Sequence, residues 1–235
     1  MIVMPQKNII YRLGCRIAHI LRMYGVRRRK YIEYLIIILR SIEKYKGKHI
    51  MVLDLGCGSG SFLYLLIRKA GKKVIGIGVD ILQYDEWFKY SIKERNITFL
   101  LSDARLLPFR TNSIDIIVAF SLLEHVDGWE KIVGEVHKVL RVGGVFIIQL
   151  PNLEYLIEPH TKFPLLKVLP KRLKSIISFT AEYPELQFNC TLVNVLKRLK
   201  RCEFKVIGVY YHYHSEVQRL FIVPPSYIII AMKSI

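Results

Sequence analysis

VLDLGCGSGSF, residues 52–62, joins an apolar, strand-like run to a carboxylate at Asp54 and to glycines at the alternate positions 56, 58 and 60. The text that follows, FLYLLIRKAG, has helical spacing, so the glycines sit where a strand hands over to a helix. In an open α/β sheet that place, beyond the carboxyl end of a strand, is where ligands bind. Glycine there permits positive φ and lets a ligand approach the backbone. Two ligand classes fit, a dinucleotide and a nucleoside. The dinucleotide fingerprint G-x-G-x-x-G needs glycine where this chain has Ser61, and a pyrophosphate favours a helix N-terminus over a nearby carboxylate. No Gly-Lys-Ser/Thr follows, which excludes a P-loop. Asp54 suits a ligand with an amino group or a cationic centre.

Outward from this stretch, short β-branched runs alternate with helical patterns, the sequence form of a mostly parallel α/β sheet with helices on both faces. IMVLDL, VIGIGVD, ITFLLSD, IDIIVAF and VFIIQL read as strands; FLYLLIRKAG, YDEWFKYSIKER and WEKIVGEVHKVLRVGG read as helices. In the last helix Trp129, Ile132, Val133, Val136 and Leu140 form one apolar face, Gly143-Gly144 supplies the stop, and His137 belongs to the outer face. Near the C-terminus LVNVLKRLKRC reads as a helix, then FKVIGVYY and YIIIAMK as strands with no helix between them, which implies an antiparallel pair at one end of the sheet.

Two segments fall outside the alternation. Residues 1–47 read as a basic helical extension in which Ile9, Leu13, Ile17, Ile20, Leu21 and Tyr24 make an apolar stripe; such a helix packs on its own domain or lies on anionic lipid. The rest, 48–235, reads as one domain with an insertion at about 151–190 that holds five prolines and is expected to act as a lid or substrate wall.

A chain of 235 residues, 52% hydrophobic, supplies one well-buried core. Its four cysteines form no CxxC pair and have no ligand-like histidine spacing, so neither a zinc site nor a disulfide framework is expected and the interior is reducing. Nothing reads as a signal peptide or a bilayer-spanning run. The net charge of +17 is uneven: residues 1–48 carry 12 Lys/Arg against 2 Asp/Glu, residues 49–150 carry 12 against 11, and the remainder 12 against 6. Basic flanks around a neutral centre suit an anionic partner such as nucleic acid, a membrane surface or a phosphorylated substrate, or serve solubility alone.

Asp80 ends the second strand, about twenty residues past the loop, where a carboxylate can accept from both ribose hydroxyls. Asp103 ends the third, where it can accept from an adenine amino group while the Ala104 N–H meets a ring nitrogen. Taken in order and spacing, VLDLGCGSG, GVD, LSDARLLPF, IDIIVAFSLLEHV and LRVGGVFIIQLPN resemble the class I S-adenosylmethionine-dependent methyltransferases over residues 48–152, in particular the broad small-molecule group with an EHV segment after the fourth strand. That resemblance implies a Rossmann-like seven-stranded sheet with an antiparallel last strand and S-adenosylmethionine as cofactor. It implies that Asp54, Gly56, Gly58 and Gly60 frame the methionine and ribose, that Asp80 holds the ribose, that Asp103 and Ala104 meet adenine, and that Ser121 lies beside the methionyl end.

Displacement at a sulfonium needs alignment and exclusion of water, and it needs a base when the acceptor is a hydroxyl. Glu124 and His125, after the fourth strand, are the first candidates for the acceptor side. His160 lies in the insertion, whose PN, IEPHT and PLL segments resemble those of methyltransferases of envelope polysaccharide and glycolipid synthesis; this resemblance turns Glu158 and His160 to the acceptor, with Tyr155 nearby. His212 and His214 alternate on a strand without a third ligand, so they read as an aromatic surface and no metal site is expected. Cys57 reads as a small filler of the glycine loop. The leading expectation is O-methylation of a small-molecule, sugar or lipid-linked glycan hydroxyl by a cytoplasmic protein with peripheral contact to the inner face of the membrane. The alternatives are RNA methylation, with the flanks on phosphates, and a non-catalytic binding protein that keeps the fold. AFSLLEH stands in place of an NPPY-like tetrapeptide, which disfavours exocyclic amine targets.

Overall fold

The computed structural model describes residues 37–38, 49–70, 73–152, 187, 189–212 and 226–234. Within them the chain runs β1 (Ile50–Leu55), α1 (Ser61–Ala70), β2 (Val74–Asp80), α2 (Asp85–Lys93), β3 (Ile97–Leu101), β4 (Ile114–Phe120), a 3-10 turn (Leu123–His125), α3 (Trp129–Val139), β5 (Leu140–Pro151), α4 (Leu192–Arg201), β6 (Phe204–His212) and β7 (Ser226–Lys233). The seven strands form one sheet in the order β3-β2-β1-β4-β5-β7-β6. β7 runs antiparallel to both its neighbours, and the pairs β1–β2, β1–β4, β2–β3 and β4–β5 are parallel, as the sequence predicts. The order reverses at β1, so the loops leaving β1 and β4 open a crevice between them, the switch point where such sheets take ligands.

Strands buried on both faces need near-continuous apolar runs, and β4 (IDIIVAF) has one that is buried from Ile114 to Ala119. One face packs α3 and α4 through Trp129, Ile132, Val136, Val195 and Leu199; the other packs α1 through Phe62, Leu63 and Leu66. Helical Ile38 is buried against that second face, next to Val52 and Ile147 in the same cluster. No helix among the described residues is long and apolar enough to cross a membrane. The rest of the N-terminal extension and most of the insertion lie outside the described residues.

Most boundaries fall within a few residues of the sequence reading, and two of the differences have a visible cause. β3 stops at Leu101 rather than Asp103, because Asp103 begins a tight turn: its carbonyl accepts from Leu106 N–H at 3.0 Å and its carboxylate from Arg105 N–H at 2.8 Å. α3 stops at Val139, not at Gly143-Gly144, and β5 starts at once with Leu140. Those glycines occupy an irregularity of the β4–β5 ladder, where Ile114 pairs with Leu140 but Ile116 with Val145. Gly143 takes φ +75°, and a Cβ on Gly144 would stand 2.8 Å from the Arg141 carbonyl oxygen. The helix is terminated instead by Lys233 of β7, whose Nζ donates to the carbonyls of His137 (2.6 Å) and Leu140 (3.0 Å), a cation at the negative end of the helix. His137 is correspondingly not on an outer face: it is half-buried, edge-on to the Phe204 ring at 5.3 Å, and burial followed by the Lys233 charge holds its pKa below the ordinary value.

Candidate functional site

The glycine loop is stitched to the end of β2. Gly56 and Cys57 N–H both donate to the Val79 carbonyl, at 2.8 and 3.1 Å, and the chain then turns into α1 through Gly60 N–H to Cys57 O. All three glycines take positive φ, from +53° to +76°. Gly56 and Gly60 are also sterically obliged, since a Cβ would strike Leu122 and the Phe99 ring. Gly58 is different: nothing lies within 4 Å of the position its Cβ would occupy, so this peptide faces open space. Its N–H donates to Asp80 Oδ2 at 2.8 Å and its carbonyl accepts from Trp87 Nε1 at 2.8 Å, while Trp87 stacks on Phe99 at 5.1 Å. The loop is therefore held rigid from β2 and α2, with its middle glycine bare.

Asp54 and Asp80 converge beneath this loop. Asp54 is buried at the end of β1, and its pKa is pushed up to about 8, first by burial and then by the negative charge of Asp80. Asp80 accepts from Gly58 N–H with one oxygen and from Leu82 N–H at 3.0 Å with the other. A buried carboxyl next to a second acid is relieved by a cationic or ammonium-bearing ligand. Cys57 lies among these acids, and burial with both charges pushes its thiol well up, so it stays protonated as the small filler that the sequence suggests.

The next strand end carries Asp103, whose carboxylate is gripped by the Arg105 guanidinium with Nη2 to Oδ2 at 2.6 Å, a contact that lowers the Asp103 pKa; Ala104 is buried beside it. At the end of β4, Ser121 is a non-glycine residue at φ +49° whose hydroxyl donates to Gln149 Oε1 at 2.6 Å. The 3-10 turn then presents His125 partly exposed, while the Glu124 side chain is fully buried with Oε1 3.8 Å from His125 Nε2. The Glu124 carbonyl accepts from Gln187 N–H at 2.6 Å, and its charge helps burial raise the Cys190 thiol pKa.

Asp54, Gly56, Gly58, Gly60, Asp80, Asp103, Ala104, Ser121 and His125 all lie at the carboxyl edge of the parallel strands β1 to β4 or in the turns that leave it. Tyr155, Glu158, His160 and His214 lie outside the described residues, and His212 ends β6 at the far edge of the sheet. Among the described residues no three His, Cys, Asp or Glu side chains are grouped to hold a metal ion. Trp87, Arg105 and Gln149 are site residues that sequence reasoning missed. Gln149 had a signal, a lone amide in the apolar run VFIIQL; Trp87 had none, because its partner Gly58 is distant in sequence.

Residues 53–148 match the family model described as "Methyltransferase domain". Over this segment the chain is similar to methyltransferase domains. The chain is 29% identical over 126 residues to an uncharacterized protein of Methanocaldococcus jannaschii, covering 54% of this chain and 51% of that one. It is 35% identical over 103 residues to a probable S-adenosylmethionine-dependent methyltransferase of Mycolicibacterium smegmatis, covering 43% and 38%. It therefore spans about half or less of the length of these relatives. The fold matches that of the Burkholderia thailandensis 1,6-didemethyltoxoflavin-N1-methyltransferase, whose structure contains bound S-adenosylhomocysteine, with a TM-score of 0.61 at 15% identity over 100% of this chain and 94% of that one.

Proposed function

We propose that the chain binds S-adenosylmethionine in the β1–β4 crevice and transfers its methyl group to a hydroxyl of a small molecule, sugar or lipid-linked glycan. The observation that carries the cofactor half is the convergence of buried Asp54 and of Asp80 on a positive-φ glycine loop with open space over Gly58. A phosphate ligand would add to the charge of Asp80 and hold Asp54 protonated, whereas a ligand bearing an ammonium and a sulfonium favours both carboxylates. When bound, the cofactor supplies an activated methyl group, so the protein has to align donor and acceptor and keep water out.

In this reading Asp54 and the loop hold the amino-acid portion, Asp80 accepts from the ribose hydroxyls through the lone pairs its two N–H contacts leave over, and Asp103 with the Ala104 N–H receives adenine. Ser121, fixed by Gln149, borders the methionyl end. His125 is the general base toward the acceptor, and buried Glu124 is its positioning residue, sharing charge with the imidazole from behind. The 151–190 insertion, with His160, is assigned to the acceptor side on its sequence alone.

Two measurements separate the parts. Calorimetric titration with S-adenosylhomocysteine tests the cofactor half, and failure to bind supports a non-catalytic role. Methyl-labelled S-adenosylmethionine incubated with an extract of the source cells, fractionated into RNA, protein and lipid-plus-glycan pools, tests the acceptor: label in lipid or glycan agrees with the proposal, and label in RNA assigns the basic flanks to phosphate binding instead.

A further inference from the structure

We infer that Arg105 is a specificity-determining residue of the adenine subsite, a latch on Asp103 with which a purine 6-amino group competes; this rests on the cofactor reading above. Arg105 makes four contacts with the one carboxylate. Its backbone N–H donates to Oδ1 at 2.8 Å, its Nε to Oδ1 at 3.0 Å and to Oδ2 at 3.1 Å, and its Nη2 to Oδ2 at 2.6 Å. An ionised carboxylate offers about four lone-pair sites. Three N–H groups supply these contacts, the Nε–H being shared between both oxygens, so an adenine amino group competes with the guanidinium for the carboxylate and gains its full acceptor strength only as the guanidinium lets go.

The latch reaches further. Nη1 of Arg105 donates to the Asp127 carbonyl at 3.1 Å, so one side chain ties the turn after β3 to the turn before α3. Both members of the pair stay accessible to solvent, at 42% for Arg105 and 33% for Asp103, and exchange of partners therefore leaves the core undisturbed. The closed latch presents N–H donors, which suit a 6-oxo purine. The open one presents a carboxylate, which suits a 6-amino purine. Arg105 accordingly reduces the margin by which the site prefers adenosyl over inosyl ligands.

The test is calorimetric titration of the full chain, wild type and Arg105→Met, with S-adenosylhomocysteine and S-inosylhomocysteine at low and moderate salt. Removal of the latch is expected to tighten S-adenosylhomocysteine binding by about two- to fivefold, the scale of a solvent-accessible ion pair, and to raise the adenosyl-to-inosyl affinity ratio by at least that factor. Salt screens the pair, so wild-type affinity for the adenosyl ligand should climb with ionic strength relative to the variant. Arg105→Lys keeps the charge without the fork and should give an intermediate ratio, which also serves if the methionine variant folds poorly. An unchanged ratio, or weaker adenosyl binding in both variants, overturns the latch alone. No binding of S-adenosylhomocysteine by the wild type overturns the cofactor reading and the latch with it.

Discussion

Asp80 does two jobs at once, since the carboxylate that is proposed to face the ribose also clamps Gly58 and Leu82 through their N–H groups. Asp80→Ala should therefore weaken S-adenosylhomocysteine binding by about 1–3 kcal/mol, the cost of stranding hydrogen-bond partners. It should also lower the melting temperature without ligand; unchanged affinity by calorimetry would remove Asp80 from the site. Ser121 poses the opposite problem, a residue in the left-handed region whose hydroxyl donates to the Gln149 side chain while its N–H donates to the Gln149 carbonyl. Ser121→Ala loses the bond and keeps the strain, costing about 1 kcal/mol, whereas Ser121→Gly loses both and should be the more stable of the two variants in urea. The reverse order would mean that this backbone position carries no strain for glycine to relieve, its greater unfolded-state freedom then deciding the comparison. Neither role was legible in sequence beyond its general location, because Gly58 and Gln149 meet these side chains only after the sheet has formed.

At the scale of elements, strands were read most accurately where burial on both faces leaves a continuous apolar run: β1, β2 and β4 begin and end at the residues the sequence indicates. The α3–β5 junction was misread for a physical reason. A glycine pair after a periodic run is the ordinary helix stop, yet here the stop comes four residues earlier from Lys233, ninety-four residues downstream of Val139, and the glycines serve a ladder irregularity. Lys233→Met should thus cost about 1–3 kcal/mol by leaving the carbonyls of His137 and Leu140 and the Asn112 amide oxygen without this donor. Gly144→Ala should cost a similar amount, because its Cβ would press on the Arg141 and Asp115 carbonyl oxygens, which belong to backbone and cannot swing away. Chemical denaturation of both variants checks the account, and a Gly144→Ala protein as stable as wild type would show that β5 relaxes there.

For the whole molecule the buried acid at the end of β1 links stability, pH and ligand. Asp54 has an ordinary carboxyl pKa of 3.8 when unfolded and about 8 when folded. Between those values the folded chain binds a proton that the unfolded chain releases. Its contribution to stability is thus full below about pH 4 and declines as pH rises toward 8, by up to about 1.4 kcal/mol per pH unit. Asp54→Asn removes this slope, so the difference in unfolding free energy between wild type and variant, followed from pH 5 to 9, should change in the variant's favour as pH rises and level off above about 8. Ligand binding inverts the relation. A cationic group next to Asp54 favours the carboxylate, so affinity for S-adenosylhomocysteine should rise with pH up to about 8, and binding at pH 7 should release close to one proton. Titration in two buffers of different ionisation enthalpy counts that proton directly. If no proton is released and the wild-type and Asp54→Asn stability curves run parallel, Asp54 is already ionised in the free protein, and its charge is compensated by the protein and not by the ligand.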